Sequence, residues 1–224
     1  MSDFPFAQVG FDLDGTLVDS VADLAAAVNH ALAEIGRSPL TIDQVRPMIG
    51  GGSHVMLQRA LVATGGDEQL DRLLPGLVEF YAAHIVDQTR PFPGVVDALD
   101  ALRARGVALA VVTNKREQLS FALLDALGLT DRFACIIGGD TPGLTAMKPD
   151  RAPIDLMQRR CPTTGSAAFV GDSIYDIEAA RAAGIPVALF APDGSDIPGA
   201  NAAFADYRDL LPTLTRIAAT RPAI

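Results

Sequence analysis

Apolar runs of strand length alternate with segments of helical period along most of this chain, and that alternation limits the possible folds more than any other feature. Residues 9–11, 107–112, 133–137, 167–171 and 186–190 read as strands, and helices are expected after Pro93, Lys115, Pro149, Ile174 and Tyr207. Strands alternating with helices argue for a parallel sheet covered on both faces. Near-continuous apolar stretches such as ALAVV fit strands buried on both sides.

Residues 12–106 separate the first two strands, far more chain than a connection inside a compact domain needs. A structure of its own is expected there, and its period is helical. Val21, Leu24, Ala25, Val28, Leu32 and Ile35 repeat at helix spacing until the breakers of GRSP (36–39). Thr41 and Gln44 are spaced as a capping box for a second helix, and GGGSHVMLQRAL leads into a third. Asp67 can cap a last helix carrying Leu70, Leu74, Leu77, Val78, Tyr81 and Ile85, which Pro75 is expected to kink or split. The fold class is therefore α/β: a doubly wound parallel-sheet core from residues 1–17 and 91–224, with an inserted α-helical cap domain at 18–90.

Composition removes several function classes. The 224 residues carry a formal charge of −9 with no basic run, which weighs against nucleic-acid backbones and anionic membranes as partners. Cys135 and Cys161 stand far apart in sequence without CxxC spacing, so they read as two small buried apolar residues, not as zinc ligands or a disulfide framework. No stretch has the length of a membrane span and the N-terminus has no signal-peptide pattern, so a cytoplasmic location is expected.

In an open parallel sheet the ligand crevice lies beyond the carboxyl ends of the strands. Those ends carry the polar residues here. The first strand runs into FDLDGT with Asp12 and Asp14, the second into VTNK with Thr113 and Asn114, a later turn holds Lys148, and the fourth ends in GDSIYD with Asp172 and Asp176. Any one of these alone is an ordinary capping or solvated group. Together they form a rim of four carboxylates without histidine or thiol, a donor set for a hard cation such as Mg2+. Asp172 and Asp176 are one helical turn apart, so both can face one point if a helix begins near Ser173. Lys148, Thr113 and the amides at Asn114 add the cation and donors that a phosphoryl group requires.

DLDGT after a strand, a threonine ending the second strand, KP before a helix and GDSIYD after the fourth strand resemble, in order, the four signature motifs of the haloacid-dehalogenase-like hydrolase superfamily. The resemblance spans the whole chain and implies a Rossmann-like core. It also implies a nucleophilic Asp12 that becomes an aspartyl-phosphate, and Asp14 as general acid and base. Mg2+ would be held by the Asp12 carboxylate, the Asp14 backbone carbonyl and Asp172, supported by Asp176, while Thr113 and Lys148 steady the phosphoryl oxygens. Within the superfamily, DLDGTLVDS, VTNK, GGDT (138–141) and KPDRAP are similar to the phosphoglycolate phosphatase family. That likeness implies a small phosphorylated, carboxylated metabolite as substrate; a monomer or homodimer is expected. A sugar-phosphate phosphatase, a phosphosugar mutase and a silent metabolite sensor are the alternatives.

Specificity should reside in the cap. Gly51 and Gly52 of IGGGS (49–53) are expected to let helix-start amides approach a small carboxylate, with Arg46 as a possible partner for it. Of the three histidines, all in the cap, only His54 lies near this glycine loop.

Overall fold

A computed structural model describes residues 4–161, 163 and 165–220. In chain order its strands are β1 (Gln8–Phe11), β2 (Val18–Asp19), β3 (Arg90–Pro91), β4 (Ala108–Val112), β5 (Cys135–Ile137), β6 (Ala167–Gly171), β7 (Val187–Phe190) and β8 (Ala202–Phe204). The α-helices are α1 (Val21–Ala33), α2 (Ile42–Val45), α3 (Gly52–Thr64), α4 (Leu70–Ala83), α5 (Val95–Ala104), α6 (Glu117–Ala126), α7 (Ala152–Arg160), α8 (Ile174–Ala182) and α9 (Leu210–Ala219).

Six strands form one sheet in the order β5-β4-β1-β6-β7-β8, every described pairing parallel. The chain winds outward in one direction from β1 to β5 and in the other from β6 to β8. The topological switch point therefore lies between β1 and β6, where a doubly wound sheet opens its crevice.

Side chains alternate across the sheet with the two-residue period of a strand. Val9, Phe11, Leu109, Val111, Ala168 and Val170 face one apolar cluster, which α5, α6 and α9 cover and which continues into the cap helices. Ala110, Val112, Ala167, Phe169, Val187 and Leu189 face the other, under α7 and α8. Gly10 stands on this second face, where Met157 and Phe169 occupy the space a Cβ would need.

The helices α1–α4 lie between two short strands, β2 and β3, which pair antiparallel as Val18↔Pro91 and Asp19↔Arg90 and bring the chain out to the cap and back. Asp23 reinforces this neck. Its buried carboxylate accepts hydrogen bonds from the amides of Gln88 and Thr89 and from the Thr89 hydroxyl. Among the described residues no helix is long and apolar enough to cross a membrane.

Two local expectations are corrected. The fourth cap helix is not split, because α4 continues through Pro75. Pro75 is exposed, so water can satisfy the carbonyl it leaves free, and the burial of Leu70, Leu73, Leu77 and Tyr81 offsets a penalty of about 3 kcal/mol. Asp67 does not cap this helix. Gln69 occupies the N-cap position, and the Asp67 carboxylate accepts from Gln58 Nε2 at 3.0 Å. The Thr41–Gln44 capping box is formed in both directions.

The cysteines also differ from expectation. Cys161 is buried but Cys135 is only half-buried, and their sulfurs lie 3.7 Å apart as free thiols.

Candidate active site

The switch point carries the chemistry. The Asp12 amide donates to Val170 O at 2.9 Å, extending the β1–β6 pairing by one residue and fixing where its carboxylate emerges. The following loop turns sharply at Gly15, whose φ of +85° suits glycine and whose missing side chain leaves room for the Asp172 carboxylate. Thr16 Oγ1 donates to Asp172 Oδ1 at 2.8 Å, and the buried Tyr207 hydroxyl donates to Thr16 O at 2.7 Å. The loop is thus anchored from both the end of β6 and the turn that precedes α9.

At the other edge, Ser173 is the N-cap of α8 and forms a capping box with Asp176. Asp176 Oδ2 accepts from the amides of Asp172 and Ser173 and from Ser173 Oγ, and Oδ1 accepts from Lys148 Nζ at 2.6 Å. A side chain at Gly171 would collide with Asp176, so glycine there lets the carboxylate fold back over the strand end.

Oxygens of Asp12, Asp172 and Asp176 lie within 4.8 Å of one another. The only cation against this trio, among the described residues, is Lys148, 3% exposed and 2.9 Å from Asp12 Oδ1. Burial pushes the Asp12 carboxyl up to about 6, an effect Lys148 partly offsets and the Asp176 charge strengthens. Asp172 is raised well above the usual carboxylate range by burial, then by the charges of Asp176 and Asp12. Burial works against the Lys148 charge, but the Asp12 and Asp176 carboxylates outweigh it and keep the ammonium protonated.

When all three carboxylates are ionised, one ammonium leaves an excess of two negative charges, with Asp12 and Asp176 buried and Asp172 half-buried. Asp12 Oδ1 is buried, and the partner set against it is the Lys148 ammonium at 2.9 Å, which Asp176 shares. A surplus of negative charge and an all-oxygen donor set fit a divalent hard cation. Asp176, with both oxygens already taken, is suited to support this site from behind.

The electrostatics give a pH-dependent expectation. Asp12 and Asp172 bind their protons at higher pH in the folded chain than in the unfolded one, so metal-free stability falls as pH rises from about 4 through 6. A divalent ion replaces the protons above that range. Thermal melts with and without about 10 mM Mg2+ should therefore differ by roughly 5–10 °C at neutral pH and by much less near pH 4. A difference independent of pH would contradict the assignment of these carboxylates to the ion.

Asp14 faces the other way. Its carboxylate accepts from Lys115 Nζ at 2.8 and 3.0 Å and from Ser20 Oγ at 2.6 Å, and it lines a cavity of ≈ 50 Å³ that Asp12, Thr113 and Asn114 also border. Any contribution of Asp14 to a cation at the carboxylate trio is thus left to its backbone. Thr113 is buried, its Oγ1 accepting from the Lys115 amide at 3.3 Å. Asn114 joins core to cap: its side-chain amide donates to Gly50 O and Lys148 O, both at 2.9 Å, and its Oδ1 accepts from the Lys148 amide.

The cap residues divide. Gly52, at the start of α3, borders the cavity and has a φ of +84°. Gly51 is the N-cap residue of α3 and packs against Val55. Arg46 is exposed and lies in a separate cleft of ≈ 290 Å³ beside Asp193, Asp172 and Phe92, so the structure does not bring it to Asp14. His54 is exposed and borders neither space. Lys115, Thr16, Ser20 and Tyr81 are site residues that the sequence reading omits. The signal for Lys115 was present, since it completes the VTNK turn that contributes Thr113 and Asn114.

A family model described as haloacid dehalogenase-like hydrolase matches residues 9–190. The chain belongs to the haloacid dehalogenase-like hydrolase family. It is 41% identical over 180 residues to a phosphoglycolate phosphatase of Agrobacterium fabrum, covering 79% of this chain and 76% of that protein. It is 40% identical over 193 residues to a phosphoglycolate phosphatase of Caulobacter vibrioides, covering 84% and 81%. Among solved structures, a predicted phosphoglycolate phosphatase from Haemophilus somnus 129PT superposes with a TM-score of 0.81 at 31% identity, over 92% of this chain and 97% of that one.

Proposed function

We propose that this protein is a Mg2+-dependent phosphomonoesterase that hydrolyses 2-phosphoglycolate to glycolate and phosphate through an aspartyl-phosphate on Asp12. The observation that carries this reading is the Asp12 carboxylate: buried at the end of β1, paired with the Lys148 ammonium at 2.9 Å, and bordering the same cavity as Asp14. The names of the relatives at 40–41% identity support the substrate.

Asp12 attacks phosphorus, forming an oxygen–phosphorus bond as the ester bond breaks and its electron pair passes to the leaving alkoxide. Asp14 donates a proton to that alkoxide, then accepts one from the water that hydrolyses the acyl phosphate. Lys148 neutralises charge on the phosphoryl oxygens, and the Thr113 hydroxyl, which accepts rather than donates in the free protein, can give them its proton. Asp12, Asp172 and the Asp14 carbonyl would hold Mg2+, with Asp176 behind them. Bound there, the ion supplies charge neutralisation for the phosphoryl group.

The test is phosphate release from 2-phosphoglycolate and a panel of sugar phosphates, with Mg2+ and with chelator. The expected kcat/KM is at least about tenfold higher for 2-phosphoglycolate, and chelation abolishes it. Preference for a hexose phosphate, or an isomerised product without free phosphate, would replace this substrate reading.

A further inference from the structure

The catalytic reading leaves two buried polar groups of the cavity without a task. Lys115 is 8% exposed, and its ammonium lies 4.3 Å above the centre of the Tyr81 ring. Tyr81, from the cap helix α4, is 2% exposed, and its hydroxyl meets no partner in good hydrogen-bond geometry, the Lys115 ammonium being the polar group beside it. Both border the cavity, as do Gly52 and Ser53 at the N-terminus of α3. A buried hydroxyl without a partner is costly unless a ligand supplies one.

We infer that Lys115, Tyr81 and the first-turn amides of α3 form the subsite for the carboxylate of the substrate. This rests on the proposed phosphomonoesterase activity and assigns the part of the substrate beyond the ester oxygen. An ammonium has three donor protons, and the contacts of Lys115 with Asp14 leave at least one for a ligand. The N-terminus of a thirteen-residue helix adds free amides and a positive dipole end. Connectivity agrees with the geometry. Asp14 must touch the ester oxygen to protonate it, and in a phosphoglycolate-like ester the carboxylate carbon is two bonds from that oxygen. Lys115, itself in contact with Asp14, is within reach of that group. The subsite draws on both domains, so a carboxylated substrate holds Tyr81 and α3 of the cap against Lys115 of the core.

The experiment compares 2-phosphoglycolate with ethyl phosphate, which has the same two-carbon chain and no carboxylate, in the wild type, Tyr81→Phe and Lys115→Met with Mg2+. The readout is the ratio of the two kcat/KM values. Tyr81→Phe, which keeps the ring, should lower that ratio about tenfold, mainly through the KM for 2-phosphoglycolate, and Lys115→Met by about a hundredfold. If Lys115→Met fails to fold, Tyr81→Phe alone decides. A ratio unaltered by these substitutions but lost in Arg46→Ala would place carboxylate recognition in the other cleft and overturn the inference. A wild type that treats the two esters alike would overturn the phosphoglycolate reading itself, and the subsite with it.

Discussion

Asp12→Asn is expected to lower kcat by on the order of 10⁴-fold or more while leaving the metal-free protein at least as stable as the parent. The amide has the shape of the carboxylate but cannot attack phosphorus. Stability should move in the opposite direction to activity because Asp12 is one of three crowded carboxylates, and burial already disfavours its charge. Neutralising it relieves repulsion from Asp176 and Asp172 and gives up one ion pair with Lys148, which retains Asp176 at 2.6 Å. A steady-state assay with 2-phosphoglycolate and a thermal melt without divalent ion check the two halves. An equally active variant would remove Asp12 from the chemistry. An inactive variant that also melts far below the parent would mean that the carboxylate is structural.

Lys148→Met should damage both properties. Its ammonium is buried between Asp12 and Asp176, and no other cation touches the trio among the described residues. Removing it leaves buried carboxylates facing one another and deprives Asp176 Oδ1 of its donor, a loss of about 3–5 kcal/mol by the precedent of broken buried ion pairs. Turnover should fall on the order of 10³-fold, since phosphoryl transfer depends chiefly on positioning and charge neutralisation. Mg2+ should recover part of the stability by substituting one positive charge for another, and little of the activity. Denaturant unfolding with and without the ion separates these effects. A variant as stable as the parent would show that Lys148 is not the counter-charge the geometry makes it.

The parts of this site legible in the sequence are those whose chemistry conflicts with their surroundings. Asp12 and Asp14 interrupt an apolar strand, and Asp172 follows another, so each announces that something must compensate it. The strands themselves follow from the same apolar runs, and β1, β4, β6 and β7 lie within a residue of where those runs place them, whereas their order in the sheet is set by tertiary pairing. β5 is two residues shorter than its apolar run because only Cys135–Ile137 pair in register with β4, although the Ala134 amide still donates to Leu109 O. β2, β3 and β8 have no comparable signal. They are two or three residues long, one contains a proline, and they exist because tertiary contacts present a partner.

Lys115 and Tyr81 escaped notice for a related reason. A lysine in a turn reads as solvated and a tyrosine at helix spacing reads as core, and only the closure of cap on core places one over the other. Arg46 shows the converse. Its position in the chain, close to the glycine loop, suggests a shared role, but the turn from Arg46 to Ile49 carries it to the cleft of Asp193 instead.

Turnover by this route requires Asp12 to become covalently phosphorylated. The most direct measurement is rapid acid quenching during turnover of 2-phosphoglycolate with Mg2+, followed by proteolysis and mass spectrometry of the peptides. One acid-stable, hydroxylamine-labile phosphoryl group is expected on the peptide bearing Asp12, absent from Asp12→Asn. Phosphorylation of a different residue, or full turnover in Asp12→Asn with no phosphorylated peptide, would contradict it.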